Sequence, residues 1–244
     1  MRTVDVIRTG AVAFILLGAA SAVPAQAGLM DSIGSSAGLP SVGGAAPSGS
    51  GQQDQSANLS ADLTGISKTF ANSFNAMLQA ESISAEAVGL KDNADALEKE
   101  ADFYSKGNVD DYSQVDRSIE VSTQAQQEIS KKMAENTALD ADAKAKLATA
   151  VPFYAAGTLN AATLPGKYAA WVKKAQASVS AIKSNPTALA TSGGFVTDVP
   201  KVADVSTKLP TLVSKWGSLT KTFVTFSQKQ HVDTGDLSSK IGKI

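Results

Sequence analysis

Cysteine is absent from the 244 residues, and histidine occurs once, as His231. The first absence excludes disulfides, thiolate nucleophiles, cysteine-ligated zinc and thiol redox chemistry; the second excludes a histidine-rich metal site within one chain. Aromatic residues are only 6% of the sequence, and the formal net charge is −1. Without a global basic surplus, nucleic acid is not an expected partner. What remains is 43% hydrophobic and 18% charged, an ordinary globular composition in a length that fits one large domain or two small ones.

The first residues read as an address. Arg2 and Arg8 flank Asp5, residues 11–20 (AVAFILLGAA) are apolar, and Pro24 precedes Ala25-Gln26-Ala27. That order is a secretory signal peptide over 1–27, with a mature start at Gly28 and a periplasmic or secreted destination. The apolar run is shorter than the ~20 residues a membrane-spanning helix needs. Residues 28–58 follow, with seven Gly, seven Ser and two Pro in thirty-one positions. Such a segment cannot bury enough apolar surface to offset its ordering entropy, so a flexible linker is expected.

From Leu59 onward, apolar residues recur every three or four positions. One stripe runs Leu59, Leu63, Ile66, Phe70, Phe74, Met77; a second runs from Ile83 through Leu90 and Leu97 to Tyr104. The third passes Tyr112, Val115, Ile119, Ile129 and Met133, with polar Ser122 and Gln126 at the intervening positions. Three more begin near Leu147, Tyr168 and Val202. This is amphipathic helix periodicity, without the sustained period-two alternation of strands. The expected fold is all-α: an elongated, mostly antiparallel bundle of about six helices over 59–244, because short connections favour antiparallel neighbours. A helical solenoid is the rival, supported by one echo between Phe103-Tyr104 to Gly107 and Phe153-Tyr154 to Gly157. Ser84 suits a cap of the second helix; Gly107-Asn108 would end it and Asp110 start the third. Asp140 suits the cap of the fourth, and Pro165 and Pro200 suit first turns. Residues 185–197 read as a long loop, and Pro152 and Pro210 as kinks or breaks.

The near-neutral total conceals an asymmetry. Residues 59–142 carry sixteen Asp/Glu against seven Lys/Arg, and residues 143–244 four against thirteen, a split of −9 and +9. Either the acidic early helices lie beside the basic late ones and specify neighbours, or a basic face meets an anionic membrane surface or partner.

Matches to catalytic motifs dissolve on inspection. Gly34-Ser35-Ser36-Ala37-Gly38 has the G-x-S-x-G pattern, but in a Gly/Ser tether instead of a strand–turn–helix elbow. Ser180 to Lys183 and Ser218 to Lys221 fit S-x-x-K with no partner motifs, as solvated helix faces do. The acidic run Asp92, Asp95, Glu98, Asp102 lacks the ligand pattern of a calcium loop. No glycine-rich phosphate loop follows a strand, and no cofactor or metal is expected. His231 reads as an exposed helix-end residue.

The remaining candidate is apolar. Phe153, Tyr154, Tyr168 and Trp171 bracket a run of Ala and Gly, and Trp216 and Phe223, with Phe226, lie on the last helix. Small residues between helices either bring backbones close or leave a cleft that aromatic walls line. The leading expectation is therefore an exported, non-enzymatic helical-bundle binding protein holding a hydrophobic small molecule or lipid among these rings. Its alternative is a protein-interaction or structural module of a bacterial cell envelope. In that alternative, Ser122 and Gln126 mark a helix face turned away from the core.

Overall fold

A computed structural model describes residues 50–106, 111–135, 138–184 and 195–241, with side chains from Asn58 on except those of Tyr112 and Ser113. The signal peptide, the linker up to residue 49, Gly107-Asn108, Asp110 and most of the 185–197 loop lie outside the described residues. Six long helices and one short one account for the described secondary structure: α1 (Ser50–Ala87), α2 (Lys91–Ser105), α3 (Tyr112–Glu135), α4 (Ala141–Ala161), α5 (Leu164–Lys183), α6 (Phe195–Lys229) and α7 (Leu237–Ile241). The all-α class follows, and no described residue lies in a strand.

The first stripe does not stop at Met77. It continues through Leu78, Glu81, Ser84, Ala85 and Val88, all buried, so α1 runs on to Ala87. The break falls at Gly89, whose φ of 83° is open to glycine at little cost. There Gly89 N–H donates to the Glu86 carbonyl at 3.1 Å and Leu90 N–H to the Ala85 carbonyl at 2.8 Å, the paired bonds of a Schellman ending. Ser84 is thus no cap: it sits inside α1, and its hydroxyl meets Tyr154 Oη at 3.1 Å. At the backbone level α1 already begins at Ser50, inside the compositionally linker-like stretch.

Asp111 holds the start of α3, accepting from Gln114 N–H at 3.2 Å through Oδ1, one residue beyond the expected Asp110. Asp140 caps α4 as its type predicts, accepting from Ala143 N–H at 2.8 Å. Helix α6 starts at Phe195, which places Pro200 beyond the first turn; α4 and α6 both continue through Pro152 and Pro210.

Named contacts fix the directions. Helix α2 returns along α1, with Ser82 Oγ donating to the Ala94 carbonyl at 3.0 Å near the turn and Tyr104 reaching back to Phe74 and Phe70. Helix α3 rises again with α1, from Ser118 beside Glu100 to Gln126 beside Glu81. Helix α4 descends, pairing Lys146 with Glu86 and Thr158 with Met77. Helix α5 continues that descent instead of reversing it, with Tyr168 against Phe70 and Trp171 against Leu59. The reason is local. Ala162 (φ −55°, ψ −30°) and Thr163 (φ −88°, ψ −13°) stay in the right-handed helical region, so the chain keeps its heading. Pro165 merely lacks the N–H that would have continued the ladder. Helix α6 then rises beside α3, linked by Lys208 to Asp116 at 2.7 Å. Helix α1 packs against α2, α3, α4, α5 and α6, which explains why its buried face carries Phe70, Phe74, Met77 and Leu78.

His231 is exposed and ends α6. Its φ is 60°, and its N–H and that of Val232 make the same paired bonds as at Gly89, to the Gln228 carbonyl at 3.0 Å and the Ser227 carbonyl at 2.8 Å. A β-carbon at that position is strained by about 1–2 kcal/mol. His231→Gly is expected to stabilise the fold by about 1 kcal/mol, a rise in Tm of about 2–4 °C. An unchanged or lower melting temperature would refute the strain.

Candidate functional site

The rings singled out by sequence are distributed over four contacts. Tyr154 and Phe223 stack at 4.2 Å between centroids, joining α4 to α6. Trp216 packs on Phe74 at 5.3 Å, and Tyr168 on Phe70 at 6.3 Å. Trp171 faces Phe195 at 6.2 Å, while its indole N–H donates to the Leu59 carbonyl at 2.7 Å. Tyr154, Trp216 and Phe223 are fully buried, Tyr168 and Trp171 nearly so, and Phe153 is half-buried at the core edge. Phe70 and Phe74 of α1, with Tyr104 of α2, are the hub that draws Tyr168 and Trp216 in. Periodicity marked all three as core-facing; which rings they would meet depends on helix placement, which periodicity does not encode.

Gly157, in the Ala/Gly run, brings backbones close. A β-carbon there would lie 2.5 Å from Met77 Cγ and 3.0 Å from the Met77 backbone nitrogen. Next to it, the hydroxyls of Thr158 and Thr220 meet at 2.8 Å, and Thr220 Oγ1 donates on to the Trp216 carbonyl at 2.7 Å.

The most unusual group is one that sequence reading passed over. Glu81 is fully buried on α1. Its Oε1 accepts from Gln126 Nε2 at 2.9 Å and Ser122 Oγ at 3.1 Å, and Gln126 also donates to Ser122 Oγ at 2.9 Å. Its Oε2 has no partner among the described residues. Burial pushes the carboxyl up to about 8, against the smaller opposing pull of the Ser122 and Gln126 hydrogen bonds. Glu81 is therefore mostly a neutral acid at pH 7.

Ser122 and Gln126 accordingly correct the outward-face expectation: they are buried because they grip Glu81. The same arrangement recurs two turns earlier on α3. Ser118 Oγ and Gln114 Nε2 donate to Glu100 Oε2 at 2.6 and 2.5 Å, with Arg117 Nε at 3.5 Å from Oε1. Gln114, Ser118, Ser122 and Gln126 recur at every fourth residue, one continuous polar rail on a single helix face. It seats α3 on one carboxyl from α2 and one from α1. Glu81 continues the first stripe four residues past Met77, the signal that would have located it.

Grooves flank the outer face of α6. One of about 300 Å³ is lined by Thr123, Gln126, Gln127 and Ser130 of α3 with Ser214, Lys215, Ser218, Leu219 and Thr222 of α6. A second, of about 330 Å³, continues it along Met133, Ala134, Lys221, Thr225 and Lys229. A third, of about 380 Å³, lies on the other side, between Ala162, Pro165, Pro210, Gly217, Lys221 and Ile241. Phe153, Tyr154, Tyr168, Trp171, Trp216 and Phe223 line none of these three, whereas Phe226, grouped with them by sequence, walls the second.

Among the described residues no group of three or more His, Cys, Asp or Glu is placed to hold a metal ion, and no helix is long and apolar enough to cross a membrane. No protein-family model matches this sequence, and no curated protein or solved structure matches it significantly.

Proposed function

We propose that the chain is an exported, non-enzymatic binding module of the cell envelope that recognises a partner through the outer faces of its helices. One observation carries this reading. The rings of Tyr154, Tyr168, Trp171, Trp216 and Phe223 are engaged in the packed interior, whereas the grooves open on the outer face of α6, where lysines and hydroxyls stand beside apolar side chains such as Leu219, Val213 and Phe226. Holding a lipid between α4, α5 and α6 would require those rings to part. Export rests on the N-terminal pattern of charge, apolar run and A-x-A.

The absence of cysteine makes a direct test available. A single Ser218→Cys substitution carries a cross-linker on the proposed face, and Gln176→Cys carries it on the exposed side of α5. Envelope extract is expected to yield an adduct at 218 and none at 176, while an environment-sensitive apolar dye gives no response to the unmodified protein. Dye binding abolished by Trp171→Ala, with co-purified lipid in the mass spectrum and no adduct at 218, would overturn the surface reading in favour of the interior one.

A further inference from the structure

The ion pairs between the acidic and basic halves are few. Lys146 reaches Glu86 and Lys208 reaches Asp116. Lys215, Lys221 and Lys229, further along α6, form no ion pair with any described residue. Between Asp204 and Asp233 the sequence contains no Asp or Glu, and no carboxylate lines any of the three grooves beside this helix. Positive charge is therefore left uncompensated on this outer ridge; Lys167, Lys173, Lys174 and Lys183 of α5 form no ion pair with a described residue either, but all three grooves lie beside α6.

The hydroxyls on that ridge carry more specific information. Ser218 Oγ donates to the Ser214 carbonyl at 3.0 Å, Thr222 Oγ1 to the Ser218 carbonyl at 3.1 Å, and Thr225 Oγ1 to the Lys221 carbonyl at 2.9 Å. Their protons are committed to the helix's own backbone, so the oxygens offer lone pairs outward. The ridge thus alternates ammonium donors with hydroxyl acceptors. A phosphodiester backbone supplies acceptors only and satisfies half of that pattern. A sugar acid satisfies both, its carboxylate on lysine and its hydroxyl protons on Ser and Thr.

Charge spacing points the same way. At 1.5 Å per residue, Lys215, Lys221 and Lys229 stand about 9 and about 12 Å apart along the axis. A nucleic-acid strand carries a charge about every 3.4 Å, far denser than this ridge. The face from Ser214 to Lys229 also exposes no aromatic or aliphatic side chain to enter a bilayer.

We infer that the outer ridge of α6, from Ser214 to Lys229, binds an acidic polysaccharide with widely spaced carboxylates. This rests on the surface-binding reading and names the partner's chemistry. The probe is hyaluronate, which bears a carboxylate on alternate sugars, titrated against the whole protein at low ionic strength and again in high salt. Binding is expected at low salt and is expected to weaken as salt rises. The triple variant Lys215→Gln, Lys221→Gln, Lys229→Gln is expected to lose about 10- to 100-fold in affinity, three exposed charge contacts of ~0.5–1 kcal/mol each. Thr222→Val with Thr225→Val is expected to weaken hyaluronate binding while leaving inorganic polyphosphate binding unchanged. Lys173→Gln with Lys174→Gln, on α5, is expected to change neither, and circular dichroism confirms that each variant keeps its helices.

The inference is overturned if hyaluronate does not bind, if the α5 pair matters as much as the α6 lysines, or if the valine variant leaves hyaluronate binding unchanged. Tighter binding to phosphatidylglycerol vesicles or single-stranded DNA, lost in the lysine variant, would replace the polysaccharide with that class. Persistence of a protein adduct at Ser218→Cys without hyaluronate binding would leave the surface reading standing and remove only this step.

Discussion

Replacing Glu81 by glutamine is expected to raise the melting temperature at pH 8 and to leave it nearly unchanged at pH 5. Folding moves the Glu81 carboxyl from its ordinary 4.5 up to about 8. Below 4.5 both folded and unfolded chains hold the proton, and the shift costs nothing. As pH rises past that value the unfolded chain ionises and gains solvation while the folded one keeps its acid neutral. Stability is therefore lost progressively across the window from 4.5 to about 8, by up to about 1.4 kcal/mol per pH unit. Glutamine presents the same shape and an oxygen that Ser122 and Gln126 can still bond, but it does not titrate. The wild-type Tm is expected to fall from pH 5 to pH 8 and the variant's curve to be flatter, with the variant ahead by several kcal/mol at the upper end, a magnitude bounded by the same pKa separation. Parallel curves for the two proteins would refute the burial argument. Aspartate at this position, one methylene shorter, is expected to lose the Gln126 bond and to destabilise at every pH.

That carboxyl also shows where a sequence stops being legible. Apolar periodicity locates the helices because burying a stripe is the largest favourable contribution an amphipathic helix makes to folding. Leu59 to Met77 and Val202 to Phe226 are read correctly for that reason, and so is Asp140, whose cap needs only its own helix. The same rule assigns every polar residue to the outside, and it fails where two polar positions satisfy each other across an interface. Ser122 and Gln126 look like an interruption until Glu81 is opposite them, some forty residues away in the chain. Gly89 is hidden in the sequence because the stripe from Ile83 to Tyr104 keeps its three–four rhythm straight across it; the positive φ reveals the turn. The heading of α5 is an exception to the mostly antiparallel rule, because Ala162 and Thr163 hold helical dihedrals and carry the chain on across a short connection. For the aromatic residues, sequence identified that Tyr154, Tyr168, Trp171, Trp216 and Phe223 face inward. It did not identify Phe70 and Phe74 as the surfaces that Tyr168 and Trp216 meet. Charge patterning was legible in part: Glu86 with Lys146 and Asp116 with Lys208 do join the acidic to the basic half, and Lys215, Lys221 and Lys229 are among the lysines left over.

The second large effect is expected at Gly157, where an added methyl has no room. The β-carbon of Gly157→Ala would stand 2.5 Å from Met77 Cγ and 2.7 Å from its Sδ, well inside van der Waals contact. Alanine brings a gain in helix propensity of up to ~1 kcal/mol over glycine. Against that gain stands overpacking, which costs ~1–3 kcal/mol when a close-packed interface must shift. Met77 is fully buried, so its side chain has no solvent to swing into, and its backbone nitrogen, 3.0 Å away, cannot yield without parting α1 from α4. Overpacking wins because the Met77 backbone cannot yield, and denaturant unfolding is expected to show a net loss of up to about 2 kcal/mol, the upper overpacking cost less the propensity gain. The sign of the coupling separates this from a generic helix effect. Met77→Ala alone opens a cavity and is expected to cost ~2–5 kcal/mol. Combined with Gly157→Ala, the methyl enters the vacated space, so the double variant is expected to be more stable than the sum of the two losses by at least ~1 kcal/mol. Strict additivity would mean that the helices separate freely at this point, and the close approach through Gly157 would then carry no energetic weight.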